Sequence, residues 1–160
     1  MDAHRGRLLR LCRLLLRDPE EAADVVQDVF TKAYDAQVQS RTPGDWAAWL
    51  TRVAVNACHD RRRAGWWRRF RFASDRIEDI PVAAVDPSPV DRALGEETRR
   101  RIWVAFRALP SRQREVFALR YIEDLSTAEV AAVLGLHPGS VKRHLFRAIR
   151  HLREALGGAP

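Results

Sequence analysis

The segment from 126 to 153 constrains the fold more than any other part of this chain. Ser126 and Glu129 are spaced as a capping box, in which the hydroxyl accepts from the Glu129 amide and the glutamate accepts from the Ser126 amide. Gly135 can adopt the left-handed conformation that ends a helix, and Pro138 suits the first position of the next one. The sequence therefore predicts a short helix, a tight turn and a longer helix, which is a helix-turn-helix.

The second helix of this motif is predicted to be amphipathic and basic. Its apolar positions recur at helical spacing and form one stripe: Val141, Leu145, Ala148, Ile149 and Leu152. The candidates for DNA contact are Ser140, Lys142, Arg143, Phe146, Arg147 and Arg150. An arginine can donate two hydrogen bonds to a guanine edge, and a phenylalanine can contact a thymine methyl group. The pattern favours a DNA-reading helix over the alternative, an ordinary solvated basic face.

The charge of the chain agrees with a polyanionic partner. The 160 residues carry a formal net charge of +7 with a sequence pI near 10.6, and both ends are basic whereas the middle is acidic. Nucleic acid is the commonest partner of such a chain. A cationic surface without a partner would have the same composition and is the alternative.

Several classes of protein are not expected from this sequence. Cys12 and Cys58, its two cysteines, lack the spacing of a zinc site or a disulfide framework, so we expect both to be reduced. Arg10 and Arg13 interrupt the apolar N-terminal segment, so no membrane insertion is expected and the protein is predicted to be cytoplasmic. We expect no metal, cofactor or small-molecule substrate, and an enzyme is the least favoured class.

Helical periodicity extends over most of the N-terminal half. A first helix is predicted between Arg5 and Arg17, a second from about Glu20, and a third from Trp46 to about Arg63. The predicted apolar stripe of the third helix is Trp46, Trp49, Leu50, Val53 and Ala57. No segment shows the alternation of a strand, so the predicted fold class is all-α.

The middle of the chain is predicted to be a flexible linker. Residues 73–90 turn acidic, carry three prolines and show no sustained period. We therefore expect two small helical domains, over residues 1–72 and 91–160.

Three segments follow a pattern that is more specific than a helix-turn-helix alone. Residues 18–30 read DPEEAADVVQDVF, residues 49–63 read WLTRVAVNACHDRRR, and residues 109–153 begin LPSRQREVFALR and contain the helix-turn-helix. In this order they resemble the extracytoplasmic-function (ECF) sigma factors of the sigma-70 family, small bacterial transcription initiation factors. The resemblance implies two helical domains joined by a linker, and it covers nearly the whole chain.

The resemblance also implies partners for each domain. A sigma region 2-like first domain binds core RNA polymerase and reads the melted minus-ten promoter element, and a region 4-like second domain reads the duplex minus-thirty-five element. An anti-sigma factor is a further implied partner. Asp24, Gln27 and Asp28 on the second helix are the candidates for polymerase binding. Five carboxylates from Asp18 to Asp28 without a cation favour a basic partner over an ordinary solvated face.

The third helix carries the candidates for the minus-ten element, which are Asn56, His59, Asp60, Arg61, Arg62 and Arg63. Four of them share one helical face and can hold an unstacked base: Asn56, His59, Asp60 and Arg63. The arginines are expected to supply affinity rather than specificity. Asp60 is alternatively a cap or an arginine partner, and Trp46 and Trp49 are expected in the core. Three roles are open for Trp66 and Trp67, namely stacking on bases, packing against the second domain and binding another protein.

Two departures from the family pattern are visible. His137 stands where the family usually has serine or another strong N-cap, so the start of the recognition helix is expected to be weaker by about 1 kcal/mol. Part of the family's usual first helix is also expected to be missing. The alternative function is a freestanding helix-turn-helix regulator, which acts without polymerase and usually binds DNA as a dimer.

Overall fold

The fold is all-α, as the sequence predicts. The computed structural model describes the backbone of residues 2–41, 43–71 and 95–157. Side chains are described for the same ranges apart from residues 2–3 and 66–71. No strand occurs in the described ranges, and the predicted linker, 73–90, lies outside them. The chain divides into two compact units, Met1–Ala83 and Ala84–Pro160.

The described part of the first unit contains three helices. They are α1 (Asp2–Leu15), α2 (Pro19–Val38) and α3 (Trp46–Arg71). Asp18 caps α2, because its Oδ1 accepts a hydrogen bond from the Glu20 amide at 2.8 Å, and Pro19 occupies the first turn. Each helix packs against the other two. The three helices therefore share one core.

The core of this unit differs from the sequence prediction along α3. Leu50 is buried as predicted, but Trp46, Trp49, Val53 and Ala57 are only half-buried. The fully buried residues that follow Leu50 on α3 are Thr51, Ala54, Val55 and Cys58. The reason is that α3 packs against α1 and α2 together, so its buried arc is centred between two neighbours.

The end of α3 also differs from the prediction. The expected end near Arg63 was wrong, since the helix continues to Arg71. Gly65 costs about 1 kcal/mol in a helix interior, but nothing between it and Arg71 is a proline that would stop the helix. The arginine-rich stretch is therefore an extension of the same helix that carries the minus-ten candidates.

The second unit places the recognition helix on a small core. Its described helices are α4 (Glu96–Ala108), α5 (Ser111–Phe117) with a π-helical turn Ala118–Ile122, α6 (Thr127–Leu134) and α7 (Pro138–Ala155). Phe106 lies at the centre of an aromatic row, with ring centroids 5.7 Å from Trp103 and 5.9 Å from Phe117. Ile102, one turn before Phe106 on α4, is exposed. Helix α7 packs against α4, α5 and α6, so its apolar side is covered.

Candidate nucleic-acid interface and acidic docking face

The turn of the helix-turn-helix has the predicted local geometry. The Ser126 Oγ accepts from the Glu129 amide at 3.2 Å, and the Glu129 Oε2 accepts from the Ser126 amide at 2.7 Å. Gly135 ends α6 with a φ of 63°, in the left-handed region. The capping box and the glycine turn are therefore confirmed. Together they set the point at which α7 begins.

His137 caps α7, which differs from the expectation of a weakened start. Its Nδ1 accepts a hydrogen bond from the Gly139 amide at 3.1 Å. This requires a ring nitrogen without a proton at that position. A Cβ on residue 139 would lie 3.2 Å from the same nitrogen, so the glycine leaves room for the imidazole.

The outer face of α7 is exposed in the described part of the chain. Val141 and Ala148 are fully buried on the inner side. The exposed residues among the DNA candidates are Lys142, Arg143, Phe146, Arg147 and Arg150. Ser140, in the first turn, is half-buried. Phe146 is 69% exposed, so its ring is accessible to a partner.

A polar layer on α5 supports α7 from behind. The Glu115 side chain is 1% exposed, and its Oε2 accepts from the Arg112 Nη1 at 2.9 Å. Gln113 is buried as well, with its Oε1 2.9 Å from the Nδ1 of His151 on α7. These residues were not singled out in the sequence, because their partners depend on how α5 and α7 pack.

His144 lies on α7 between this layer and the outer face. Burial lowers the pKa of His144, and the charge of Arg112 acts in the same direction. Arg147 and Arg143, on the same helix, lower it further. Its Nδ1 is buried without a hydrogen-bond partner in the part of the chain that the structure describes. The neutral imidazole of His144 is therefore favoured.

The polar strip on α3, formed by Asn56, Asp60 and Arg63 with His59 beside them, contains fewer residues than the set of minus-ten candidates. Asn56, Asp60 and Arg63 are exposed along one face, and His59 beside them is half-buried. Arg62 turns away from this face, since its Nη1 donates to the Leu15 carbonyl at the end of α1 at 3.2 Å. The structure thus brings Asn56, Asp60 and Arg63 together.

Arg61 turns to the other side of α3 and meets the acidic face of α2. Its Nη2 donates to the Asp28 Oδ2 at 3.1 Å, and its Nη1 lies 3.6 Å from the Asp24 Oδ2. Both carboxylates remain largely exposed, at 68% for Asp24 and 60% for Asp28. Gln27 is exposed beside them. The predicted acidic face is therefore accessible, with one arginine of α3 at its edge.

Two tryptophans and both cysteines of the first unit are half-buried or buried. Trp46 and Trp49 are half-buried and form an edge-to-face pair with ring centroids 5.6 Å apart. Cys12 and Cys58 are both buried free thiols. A hydrogen bond with Cys12, together with burial, raises the pKa of the Cys58 thiol, which disfavours the reactive thiolate. The side chains of Trp66 and Trp67 lie outside the described residues.

Two features of the described residues bear on other functions. None of the helices there is sufficiently long and apolar to cross a membrane. Within the same ranges, no cluster of three histidine, cysteine, aspartate or glutamate side chains is arranged to hold a metal ion.

These features define a helical DNA-binding protein in which the second unit carries a helix-turn-helix and the first unit carries an acidic face. The profile described as Sigma-70 region 2 matches residues 1–68, and that described as Sigma-70, region 4 matches residues 99–152. The RNA polymerase sigma-E factor of Streptomyces coelicolor is 34% identical over 152 residues, which cover 93% of this chain and 79% of that protein. The chain belongs to the sigma-70 family, within its ECF group of RNA polymerase sigma factors.

Another relative and two solved structures are similar over most of the chain. The ECF RNA polymerase sigma factor SigM of Mycobacterium tuberculosis is 34% identical over 155 residues, covering 96% of this chain and 74% of SigM. The sigma factor RpoE of Bartonella quintana, solved with the anti-sigma factor NepR, has a TM-score of 0.75 at 25% identity, covering 96% of this chain and 92% of RpoE. CnrH, solved with the cytosolic domain of CnrY, has a TM-score of 0.60 at 26% identity, covering 94% of this chain and 80% of CnrH.

Proposed function

We propose that this ECF sigma factor docks on core RNA polymerase through the acidic face of α2, formed by Asp24, Gln27 and Asp28. The support is that these side chains are exposed on a helix whose opposite side is buried. A basic surface on the polymerase would complement the two carboxylates and accelerate association. The activity is then promoter-specific initiation, with no catalysis by this chain itself.

The first unit is assigned to the minus-ten element. Asn56 and Asp60 form the part of the strip that can hydrogen-bond an unstacked base, and Arg63 contacts phosphate. His59, half-buried at the edge of the strip, and Arg61 are further candidates. A DNA contact by Arg62 stays a prediction, since its guanidinium also donates to the end of α1.

The second unit is assigned to the minus-thirty-five element. The observation that carries this assignment is Phe146, which is 69% exposed between exposed arginines on a helix whose start is set by a capped turn. Arg143 and Arg147 are assigned to base edges, and Phe146 to a thymine methyl group. Ser140, Lys142 and Arg150 are assigned to phosphates, with Ser140 beside the helix N-terminus.

Domain limits, location and regulation complete the proposal. The first domain spans residues 1–72 and the second 91–160, with 73–90 as the linker between them. The protein acts in the cytoplasm, where its polymerase and promoter partners are. An anti-sigma factor controls it, and the support is that the similar RpoE was solved with the anti-sigma factor NepR.

Transcription from a pool of genomic DNA tests this function. The purified chain is combined with matching core RNA polymerase, each component is also tested alone, and transcript starts are mapped. New starts that require both components and share two spaced upstream motifs are the expected result. DNA binding without core, together with no new starts, would favour a freestanding helix-turn-helix regulator instead.

A further inference from the structure

Arg61 connects two surfaces that have different proposed partners. It lies on α3 beside the polar strip, yet its guanidinium forms a fork over two carboxylates of the docking face on α2. The Nη2–Oδ2 distance to Asp28 is 3.1 Å and the Nη1–Oδ2 distance to Asp24 is 3.6 Å. One cation of the first unit thus occupies the position that a basic side chain of a docking partner would take.

The exposure of these groups indicates that the contact is exchangeable. The Arg61 side chain is 31% exposed, and the carboxylates are about twice as exposed. Ion pairs with this much solvent contribute little to stability and are screened by salt. The Arg112–Glu115 pair of the second unit is different, because its carboxylate is 1% exposed. Arg61 can therefore leave Asp24 and Asp28 without unfolding the three-helix core.

We propose that Arg61 is an internal counter-ion of the docking face, which the basic surface of core RNA polymerase displaces on binding. The released guanidinium is then available to a DNA phosphate beside the α3 strip. This inference rests on the proposed docking face and adds a regulatory contact to it. Because coupling between two sites is reciprocal, a bound DNA phosphate that removes Arg61 from Asp24 and Asp28 also favours docking.

The first test measures binding of core RNA polymerase to the full chain without DNA, at several salt concentrations. Arg61→Gln is expected to bind core about two- to fivefold more tightly than the parent, because no internal cation has to be displaced. Arg52→Gln is the matched control, with the same change of net charge. Arg52 is exposed on the same helix and forms no ion pair with another described residue. Equal or weaker binding of Arg61→Gln relative to Arg52→Gln overturns the inference.

The second test measures the affinity for single-stranded DNA that carries the minus-ten sequence mapped in the transcription assay. The fold-loss of DNA affinity caused by Arg61→Gln is expected to be at least twice as large for the chain–core complex as for the chain alone. An equal loss of DNA affinity with and without core RNA polymerase overturns the proposed coupling.

A charge-reversed docking face separates this inference from the proposed function. If the variant with Asp24→Arg and Asp28→Arg binds core as the parent does, the docking face itself is wrong. If that variant loses core while Arg61→Gln behaves like Arg52→Gln, the docking face stands and only the counter-ion role fails.

Discussion

Arg112 and Glu115 lie one turn apart on α5 and form an ion pair with an Nη1–Oε2 distance of 2.9 Å. The glutamate side chain is 1% exposed, whereas the arginine side chain is 35% exposed. A carboxylate removed from water in this way is costly unless cations and hydrogen bonds offset the lost hydration. The pair therefore matters for the packing of α5 against the recognition helix.

Replacing Arg112 tests that dependence. Arg112→Met removes one of the groups that neutralise the buried carboxylate, and we expect the free energy of unfolding to fall by about 1–3 kcal/mol. Urea unfolding of the full chain, followed by circular dichroism, measures it. Arg100→Met is the control, since it removes an exposed pair with Glu97 and is expected to leave the second unit's transition unchanged. Equal losses of unfolding free energy in the two variants would show that burial of the Glu115 carboxylate does not matter.

The stability of the second unit is expected to depend on pH through His144. Burial and neighbouring arginines lower its pKa from the ordinary 6.5, so the unfolded chain binds this proton more readily than the folded one. His144 therefore leaves the free energy of unfolding at its full value above pH 6.5. The free energy of unfolding falls as the pH drops below 6.5 and levels off below the pKa of the folded state. Urea unfolding at a series of pH values gives the slope.

Two variants isolate His144 from the other histidines. His144→Gln is expected to flatten the slope of unfolding free energy against pH below 6.5. Arg143→Gln removes one of the charges that lower the pKa of His144 and is expected to reduce the slope partly. A slope in His144→Gln that matches the parent would refute this origin of the pH dependence.

The His137 cap makes a separate prediction. His137→Ala removes the acceptor for the Gly139 amide, and we expect a loss of about 1 kcal/mol in unfolding free energy. His137→Ser supplies another capping oxygen and is expected to stay close to the parent. Thermal unfolding of the three proteins distinguishes them, and an alanine variant as stable as the parent would show that the hydrogen bond contributes nothing.

Reversing the docking charges is expected to remove polymerase binding. Asp24→Arg with Asp28→Arg places two further cations beside Arg61 and opposite a basic partner, so core binding is expected to fall at least a hundredfold, which roughly 3 kcal/mol would produce. Native gel shifts with core measure it, and circular dichroism checks the fold. Glu96→Arg with Glu97→Arg makes the same charge change on α4 and is expected to retain core binding.

Arg147 is expected to determine a base in the minus-thirty-five element. Arg147→Ala removes a bidentate donor, so discrimination at one base pair is expected to fall by about 1–3 kcal/mol. Holoenzyme binding to duplexes with single substitutions measures this preference. Arg153→Ala, on the same helix but outside the candidate set, is expected to leave base preference unchanged. A preference that survives in Arg147→Ala would remove its assignment to base reading.

The helix-turn-helix could be predicted in detail because its determinants are local. The hydrogen bonds of the capping box join residues three apart, and Gly135 and Pro138 act through their own backbone conformations. The structure confirms them. His137 is also a local cap, but histidine is not among the usual N-cap residues, so sequence reasoning expected a weaker start.

The core of α3 could not be predicted to the same degree. Its periodicity was visible, but which residues are buried depends on helices that approach from two sides. Trp46 and Trp49 have core-like spacing yet are half-buried, whereas Ala54 and Cys58 are fully buried. Small residues are buried there because they allow neighbouring helices to approach closely, and spacing alone does not reveal that approach.

The helical fold class, the turn of the helix-turn-helix and the family could be predicted from the sequence alone, since periodicity, capping and motifs are properties of nearby residues. The partners of Arg61 and Arg62, in contrast, depend on how the three helices of the first unit pack. These arginines are neighbours in sequence, but one meets Asp28, 33 residues away, and the other meets the Leu15 carbonyl, 47 residues away. Successive residues on a helix point about 100° apart, so two adjacent arginines reach different neighbouring helices once the three helices pack.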